Sequence, residues 1–285
     1  MTRQGLALDI GDVIAGFRID GVLAANGAAT VYRAEQVSLG RTVALKVLSP
    51  GLSDDATFAE RFRHEGRLQA AMNHPHFVPI YEAGEIDDGR LYLAMRLIEG
   101  PTLKQLILAG QADAARSIDI LTQVADALDA AHAVGLIHRD VKPQNVLIEG
   151  PTAYLTDFGL AKDLNGVSLT TAGQFLGTID YISPEQASGE GVTPASDVYQ
   201  LAVVLYECLT GHVPFVRPTE AAVLFCHLTQ PPPNVCDMRP DLPAELSAVI
   251  ARGMAKDQAD RPQSASELMF DAAAALQPGA ARLTA

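Results

Sequence analysis

One stretch of the sequence, residues 138–159, constrains the chain more than any other. It begins His138-Arg139-Asp140-Val141-Lys142-Pro143-Gln144-Asn145, continues through the apolar Val146-Leu147-Ile148 and ends Asp157-Phe158-Gly159. Asp140 can accept a proton from a hydroxyl group, and Asn145 and Asp157 offer the hard oxygen ligands that Mg²⁺ prefers. Lys142 adds a positive charge. A loop and the strand end that follows it can direct these four groups at one point.

This combination of groups suits phosphoryl transfer, in which charge is neutralised and the attacking hydroxyl is oriented. Here the chain resembles the protein kinases, because it matches their catalytic-loop and metal-loop signatures. The resemblance implies that Asp140 is the catalytic base and that Asn145 and Asp157 bind Mg²⁺ (or Mn²⁺). It also implies that Lys142 stabilises the charge that develops on the transferred phosphoryl group. The lysine two residues after Asp140 resembles the serine/threonine branch of the family. Stretches such as Asp180-Tyr181-Ile182-Ser183-Pro184-Glu185-Gln186 resemble the eukaryotic-like kinases of bacteria.

The composition permits a sizeable core and argues against some partners. The 285 residues are 48% hydrophobic and carry a formal net charge of −13. One two-lobed unit or two small domains fit this length, and the charge disfavours a nucleic-acid backbone or an anionic membrane as the main partner. The three cysteines form no C-x-x-C pair, which fits packed thiols in a reducing compartment better than a metal site.

We expect a cytoplasmic chain without a signal peptide or a membrane span. Asp9 and Asp12 interrupt the short apolar run at the N-terminus. The longest apolar run in the body, residues 201–206, is far shorter than the roughly 20 residues that a span needs. Kinases that the chain resembles often continue into a juxtamembrane linker and a transmembrane helix. The alternative that the chain is part of a longer, membrane-anchored protein therefore stays open.

The resemblance implies an α+β fold of the bilobal protein-kinase type. We expect a leader at residues 1–13, a kinase domain at 14–275 and a frayed tail at 276–285. Within the domain, the N-lobe (14–95) would hold a small five-stranded antiparallel sheet plus one helix. A hinge at 96–99 would precede a mainly α-helical C-lobe at 100–275.

The N-lobe strands are predicted from β-rich runs at residues 17–23, 30–34, 42–48, 77–81 and 91–97. The third run contains Val43-Ala44-Leu45-Lys46, close to the V-A-I-K signature of kinases. A lysine in an apolar strand is costly unless paired, and the resemblance implies that Lys46 grips the α- and β-phosphates of ATP and pairs with a helix glutamate. In a helix predicted over 54–72, Glu65 is the matching glutamate and Glu60 is the competing choice.

The resemblance also assigns the adenine site. Leu23, Val31, Ala44 and Leu147 would sandwich adenine in the cleft, with Met95 as the gatekeeper behind it. Arg96 and Ile98 lie in the hinge, which contacts adenine through backbone groups. Further along, Ile118, Leu121, Ala125 and Leu128 recur at helical spacing and predict a long helix before the catalytic loop.

The phosphate-covering loop departs from the family pattern G-x-G-x-x-G-x-V. The chain reads Ala24-Ala25-Asn26-Gly27-Ala28-Ala29-Thr30-Val31, so all three signature glycines are replaced. Glycine permits positive φ and close approach of backbone N–H groups to oxygens, and a left-handed alanine costs roughly 1–2 kcal/mol. We expect residues 24–29 and Val31 still to cover the phosphates, with weakened ATP binding that glycines at 24, 26 and 29 would restore.

The remaining expectations concern the segment after Gly159. Thr170 and Thr171 are candidate phosphosites, because a phosphate there would supply an anion for the guanidinium group of Arg139. Thr178 is expected in the loop that contacts the substrate. By resemblance, Glu185 pairs with Arg261. Asp197 would hold the backbone of the catalytic loop, although it could be a plain helix-terminal acid.

The sequence therefore predicts a serine/threonine protein kinase that uses ATP and Mg²⁺ and acts on proteins. Autophosphorylation in residues 160–178, in a transient homodimer, would activate it. One alternative is a pseudokinase-like scaffold with weak nucleotide binding, suggested by the degenerate loop. Another is a small-molecule phosphotransferase of similar fold, which Lys142, Thr178 and Glu185 disfavour.

Overall fold

The computed structural model of the chain describes residues 8–50, 56–158 and 179–277. These residues divide into two compact units. The first unit comprises Met1–Asn73 and Phe77–Glu99, and the second comprises His74–His76 and Gly100–Ala285. Thr170, Thr171 and Thr178, the predicted helix start near 54 and most of the predicted tail lie outside the described residues.

The first unit is built on an antiparallel sheet that has six strands among the described residues, in the order β1-β2-β3-β4-β6-β5. The strands are β1 Val13–Ile14, β2 Phe17–Ala25, β3 Ala29–Gln36, β4 Arg41–Leu48, β5 Ile80–Glu85 and β6 Leu91–Arg96. The sheet thus has one strand more than predicted, because Val13–Ile14 folds back on the start of β2. Residues before it also contact the sheet: the N–H of Leu8 donates to the Tyr32 hydroxyl at 3.0 Å.

Alternation of side chains gives the sheet one core face. Phe17, Ile19, Tyr32, Val43 and Leu45 all lie in one buried apolar cluster. On β4 the neighbouring residues Ala44 and Lys46 therefore point to the opposite face, because successive side chains alternate along a strand.

One predicted strand was displaced along the chain. The strand expected at 77–81 is observed as β5, which begins at Ile80. Pro79 explains the shift, because it has no N–H to donate to a strand ladder. Phe77 and Val78 are buried ahead of it.

The helix of the first unit, α1 (Ala56–Ala71), packs on the face of the sheet that carries Lys46. Phe58 and Phe62 are each 1% exposed and their rings stack with centroids 6.4 Å apart. At Gly66, a Cβ atom would lie 3.7 Å from the side chain of Leu93, and Leu93 is the cross-strand partner of Lys46. Helix α1 therefore lies against β6, the strand that pairs with the Lys46 strand, and the approach of Glu65 to Lys46 stays a prediction.

The second unit is mainly helical. Its elements are α2 Leu103–Leu108, α3 Ala114–Ala133, β7 Val146–Glu149, β8 Thr152–Leu155, α4 Pro184–Ser188, α5 Pro194–Thr210, α6 Glu220–Thr229, α7 Val235–Met238, α8 Ala244–Gly253 and α9 Ala265–Leu276, with 3₁₀ turns at Pro143–Asn145 and Gln258–Asp260. The long helix predicted before the catalytic loop is confirmed as α3. Together the two units confirm the α+β prediction.

Helix α5 forms the centre of the second unit. Every residue from Ser196 to Leu209 is buried, as expected for a helix that is apolar around its whole circumference. It packs against α3, α8 and α9. Pro194 occupies its first turn, where a missing N–H costs nothing, and Gly211 ends it with φ +79°. Polar residues on α5 are therefore exceptions that require buried partners.

Within the ranges that the structure describes, no helix combines the length and the apolar character needed to cross a bilayer.

Candidate active site

The loop from His138 to Asn145 connects the region after α3 with β7, and Asp197 on α5 holds its backbone. The carboxylate of Asp197 accepts the N–H of His138 at 2.8 Å and the N–H of Arg139 at 2.7 Å. Arg139 has φ +65°, a left-handed conformation that needs such support. The predicted role of Asp197 is therefore confirmed.

The carboxylate of Asp140 meets the side chains of both other predicted residues of this loop. Lys142 Nζ donates to its Oδ2 at 2.7 Å, and Asn145 Nδ2 donates to the same oxygen at 3.1 Å. Asn145 Nδ2 also donates to the main-chain oxygen of Asp140 at 2.8 Å. Three groups that the sequence placed within six residues thus converge at one carboxylate that is only partly buried.

The chain after β8 brings Asp157 back to this loop. The N–H of Thr156 donates to the carbonyl of Asn145 at 2.9 Å, and His138 Nε2 contacts the carbonyl of Thr156 at 2.9 Å. The rings of His138 and Phe158 lie 4.7 Å apart. Complete burial lowers the pKa of His138 below its ordinary value, although the carboxylates of Asp197 and Asp140 oppose this. His138 therefore joins the residues on both sides of Asp157 to the loop that carries Asp140.

The donor set fits a divalent cation. Asn145 uses its Nδ2 atom for the hydrogen bonds described above, so its Oδ1 is the atom that can bind a metal. Asp157 has φ +60°, which turns the chain sharply at the strand end. An amide oxygen and a carboxylate are hard ligands suited to Mg²⁺ or Mn²⁺.

In the first unit, the predicted nucleotide-binding residues share one face of the sheet. Val31 lies opposite Lys46, and Ala44 lies opposite Met95. Cross-strand partners point to the same side, and this side is opposite the core face. Ala44 and Met95 are buried, whereas Val31 and Lys46 are partly buried.

The other predicted adenine residues lie on or beside other elements of the two units. Leu23, on β2, is 47% exposed, beside an irregularity in the strand register between Val22 and Ala24. Arg96 ends β6, and Ile98 is buried just after it. Leu147 lies on β7 of the second unit. Their contacts to a nucleotide stay predictions.

Between the two candidate helix acids, burial favours the first choice. Glu65 is partly buried, whereas Glu60 is exposed. An exposed glutamate is solvated, so it gains little from a pair with a strand lysine. Glu65 therefore stays the predicted partner of Lys46.

The degenerate loop avoids the left-handed conformation that would be costly at alanine. Residues 24–29 all have negative φ, because positive φ at non-glycine residues of the described chain occurs only at Ala15, Arg139 and Asp157, and Gly27 is not among the positive-φ glycines. Ala24 pairs with Val31 and Ala29 pairs with Leu48, so both lie within strands. The alanines therefore carry no left-handed penalty.

Asn26 stabilises the turn instead. Its Oδ1 accepts the N–H groups of Ala28 at 3.0 Å and Ala29 at 2.9 Å. Its own N–H donates to the carbonyl of Ala29 at 2.9 Å. This is the local side-chain-to-backbone bonding that asparagine favours in turns.

The predicted pair of Glu185 and Arg261 is confirmed. Arg261 donates to both carboxylate oxygens of Glu185, each at 2.8 Å, and the two residues are 1–2% exposed. The hydroxyl of Ser196 also donates to Glu185. Burial alone would raise the pKa of Glu185, but these hydrogen bonds and the guanidinium charge hold it below its ordinary value.

Sequence reasoning missed three residues that support the loop. His132 Nε2 lies 2.7 Å from the Asp197 carboxylate, and the side chains of Gln186 and Gln200 bind the carbonyl of Arg139. A signal existed for Gln200, because it is a polar residue one helical turn after Asp197 on an otherwise apolar helix. Gln186 and His132 carry no comparable signal.

Comparisons with known proteins lead to the protein kinase family as well. A family model described as the protein kinase domain matches residues 21–271. The serine/threonine-protein kinase PknH of Mycobacterium bovis is 41% identical over 269 residues, which cover 94% of this chain and 45% of PknH. The chain belongs to the protein kinase family.

Solved structures of this family share the fold. The kinase domain of PknI from Mycobacterium tuberculosis superposes with a TM-score of 0.76 at 32% identity, covering 93% of this chain and 98% of that one. Rad53 (residues 1–466), solved in complex with AMP-PNP, gives a TM-score of 0.74 at 25% identity and covers 89% and 64% of the two chains. The kinase domain described here spans about half the length of the curated relatives it matches.

Proposed function

We propose that this chain is an active serine/threonine protein kinase that transfers the γ-phosphoryl group of ATP to serine or threonine hydroxyls of proteins. The observation that carries the proposal is the convergence of Lys142 and Asn145 on the Asp140 carboxylate, 2.7 and 3.1 Å from one oxygen. A protein that only binds partners does not need a lysine and an asparagine that converge on one carboxylate. The serine/threonine-protein kinases among its relatives support the same activity.

In this proposal Asp140 orients the substrate hydroxyl and accepts its proton. The hydroxyl oxygen forms a bond to the γ-phosphorus, while the bond from that phosphorus to the β–γ bridging oxygen breaks and ADP leaves. Lys142, already at 2.7 Å from Asp140, neutralises charge that develops on the transferred group. A bound Mg²⁺, held by Asn145 and Asp157, would supply electrostatic stabilisation of the phosphate oxygens.

On the nucleotide side, Lys46 would bind the α- and β-phosphates and Glu65 would orient it. Val31, Ala44 and Met95 would contact the adenine and ribose from the face of the sheet that they share with Lys46. The AMP-PNP complex of Rad53 supports the use of ATP by this fold.

Protein substrates follow from the kinase family, and one of them would be a second copy of this chain. A transient homodimer would phosphorylate Thr170 or Thr171 in trans, with Thr178 contacting the substrate hydroxyl segment. The division of the chain into residues 1–13, 14–275 and 276–285 also belongs to this proposal. So does a cytoplasmic location, with membrane anchoring of a longer protein as the alternative.

The deciding experiment compares purified wild-type chain with Asp140→Ala and Lys46→Met, using Mg-ATP labelled at the γ-phosphate and a generic basic protein substrate. Wild type should transfer label, and Asp140→Ala should lower kcat by a factor of about 10²–10⁴, as expected for loss of a general base. Asp119→Ala removes an exposed carboxylate from α3 and should leave kcat unchanged. Undiminished transfer by folded Asp140→Ala protein would refute the assignment.

A further inference from the structure

A buried carboxamide holds the two peptide groups on either side of Asp140. Gln200, on α5, is 1% exposed. Its Oε1 accepts the N–H of Val141 at 2.7 Å, and its Nε2 donates to the carbonyl oxygen of Arg139 at 3.1 Å. That carbonyl belongs to the peptide before Asp140, and that N–H belongs to the peptide after it.

A second glutamine extends the same arrangement to α4. Gln186 Nε2 donates to the carbonyl oxygen of Arg139 at 2.9 Å, and its Oε1 accepts Gln200 Nε2 at 2.9 Å. The N–H of Ser183 donates to Gln186 Oε1 at 3.1 Å. The two amides therefore join the first turn of α4, the middle of α5 and the catalytic loop in one hydrogen-bonded network.

The geometry has a direct consequence for Asp140. The φ and ψ angles of a residue are the rotations that relate the peptide before it to the peptide after it. When one side chain fixes both of those peptides, it fixes φ and ψ and therefore the direction of the Cα–Cβ bond. Asp197 does not do this, because its hydrogen bonds go to the N–H groups of His138 and Arg139.

The adjacent residue makes such control necessary. Arg139 has φ +65°, a conformation that persists only where the surroundings enforce it. Without Gln200, the loop could relax around Asp140, because only Gln186 would still hold the Arg139 carbonyl. The Val141 N–H, whose partner is Gln200 Oε1, would be left in a buried region, where an unpaired polar group is costly.

We propose that Gln200 is a positioning residue, which fixes the backbone of Asp140 so that its carboxylate meets the substrate hydroxyl in the reactive geometry. The inference rests on the proposed kinase function, since it concerns the rate of that reaction. A misplacement of a catalytic group by about 1 Å can lower a rate by about 10²-fold. Gln200 therefore acts on turnover rather than on nucleotide binding.

The variant Gln200→Met tests this, because methionine keeps the length of the side chain and removes both hydrogen bonds to the catalytic loop, together with the one to Gln186. The chain offers a matched control in Gln123 on α3, whose Oε1 accepts the N–H of Ala153 at 2.8 Å and whose Nε2 donates to the carbonyl of Pro151 at 3.1 Å. Gln123→Met thus removes the same pair of bonds from the β7–β8 hairpin of the same unit. Neither Ala153 nor Pro151 belongs to the proposed catalytic groups.

We expect Gln200→Met to lower kcat by about 10- to 100-fold, with the KM for ATP and for protein substrate within about twofold of wild type. Binding of an ATP analogue should keep its stoichiometry, which shows that the lower rate does not come from unfolded protein. Gln123→Met should keep the kcat of wild type. If Gln200→Met does not fold, Gln186→Met serves in its place, with a smaller loss of about 3- to 10-fold.

Amide hydrogen exchange provides a readout that needs no catalysis. In Gln200→Met the N–H of Val141 should exchange at least about tenfold faster, whereas the exchange rates of the His138 and Arg139 N–H groups, held by Asp197, should not change.

An active wild type combined with unchanged kcat in folded Gln200→Met, or an equal loss of kcat in Gln123→Met, would overturn the inference. Unchanged exchange at Val141 would overturn it as well. An inactive wild type would instead overturn the proposed function, and the exchange result would then decide whether Gln200 fixes the loop.

Discussion

Asn26 occupies a position where the phosphate-covering loop of kinases usually has glycine, and its side chain changes which backbone donors of the loop are available. Its side-chain oxygen binds the N–H groups of Ala28 and Ala29, and these are backbone donors in the loop that would cover the phosphates of ATP. The oxygen of the amide therefore competes with phosphate oxygens for the same two donors. The loop forms without left-handed residues, but two of its N–H donors are already used by Asn26.

We predict that Asn26→Gly lowers the KM for ATP by about 3- to 10-fold, because the N–H groups of Ala28 and Ala29 become free to bind phosphate. Each net hydrogen bond is worth about 1 kcal/mol, part of which is lost with the order of the turn. The measurement is the KM for ATP at saturating protein substrate.

The control for this prediction is Ala24→Gly. Ala24 is paired with Val31 inside the β2–β3 ladder, so glycine there adds flexibility and releases no donor that Asn26 holds. We expect its KM to be unchanged or higher. A KM that falls in Ala24→Gly and not in Asn26→Gly would contradict this account of the loop.

Between elements, a buried and bidentate link is the ion pair of Glu185 and Arg261. It joins α4 to the segment that precedes α9, and both partners are buried. Arg261 also donates to the carbonyls of Ala195, Ala255 and Lys256. Removal of one partner would leave the other charge buried and unpaired.

We predict that Glu185→Gln lowers the free energy of unfolding by about 3–5 kcal/mol, the usual cost of breaking a buried ion pair. The matched control is Asp271→Asn, which breaks the partly exposed contact to Arg252 and should cost less than about 1 kcal/mol. Urea denaturation measures both. Equal losses in the two variants would show that burial of the pair has no special weight.

The pKa of Glu185 predicts how this contribution depends on pH. Because folding lowers that pKa below the ordinary 4.5, the contribution is complete above about pH 4.5 and is lost as the pH falls through the lower, folded value. Wild-type stability should therefore fall more steeply than that of Glu185→Gln on acidification below this range.

The element types could be predicted from the sequence because they depend on strong local patterns, and the catalytic roles of the candidate groups stay predictions. The stretch from His138 to Phe158 carries its chemistry in a fixed spacing, and helices α3 and α5 have long apolar patterns. The start of β5 was missed because one residue, Pro79, overrides an apolar run. The roles of Gln186, Gln200 and Asn26 could not be predicted, since each depends on which backbone groups the folded chain places beside it.

At the scale of the whole molecule, activity would depend on the segment from 159 to 178, which carries both candidate phosphosites. A phosphate at Thr170 or Thr171 adds nearly two negative charges and three acceptor oxygens. Arg139 precedes the catalytic base and could bind such an anion. The same chain would thus be enzyme and substrate.

We predict that wild-type protein incubated with Mg-ATP gains phosphate on Thr170 or Thr171, and that the Thr170→Ala/Thr171→Ala variant has a kcat reduced by about tenfold or more. Mass spectrometry locates the phosphate, and a generic substrate reports kcat. Ser168→Ala is the control from the same segment of the sequence. Wild-type turnover in the double variant, with no phosphate lost, would exclude this form of activation.

We propose a convergence of Asp140, Asn145 and Asp157 on the terminal phosphate of a nucleotide, with a metal between them. Its most direct test is the binding of Mn²⁺, followed by electron paramagnetic resonance in the presence of a non-hydrolysable ATP analogue. Asp157→Asn should weaken nucleotide-dependent Mn²⁺ binding by about 10- to 100-fold, whereas Asp140→Asn should retain it while losing phosphoryl transfer. Wild-type Mn²⁺ binding in folded Asp157→Asn protein would contradict the account.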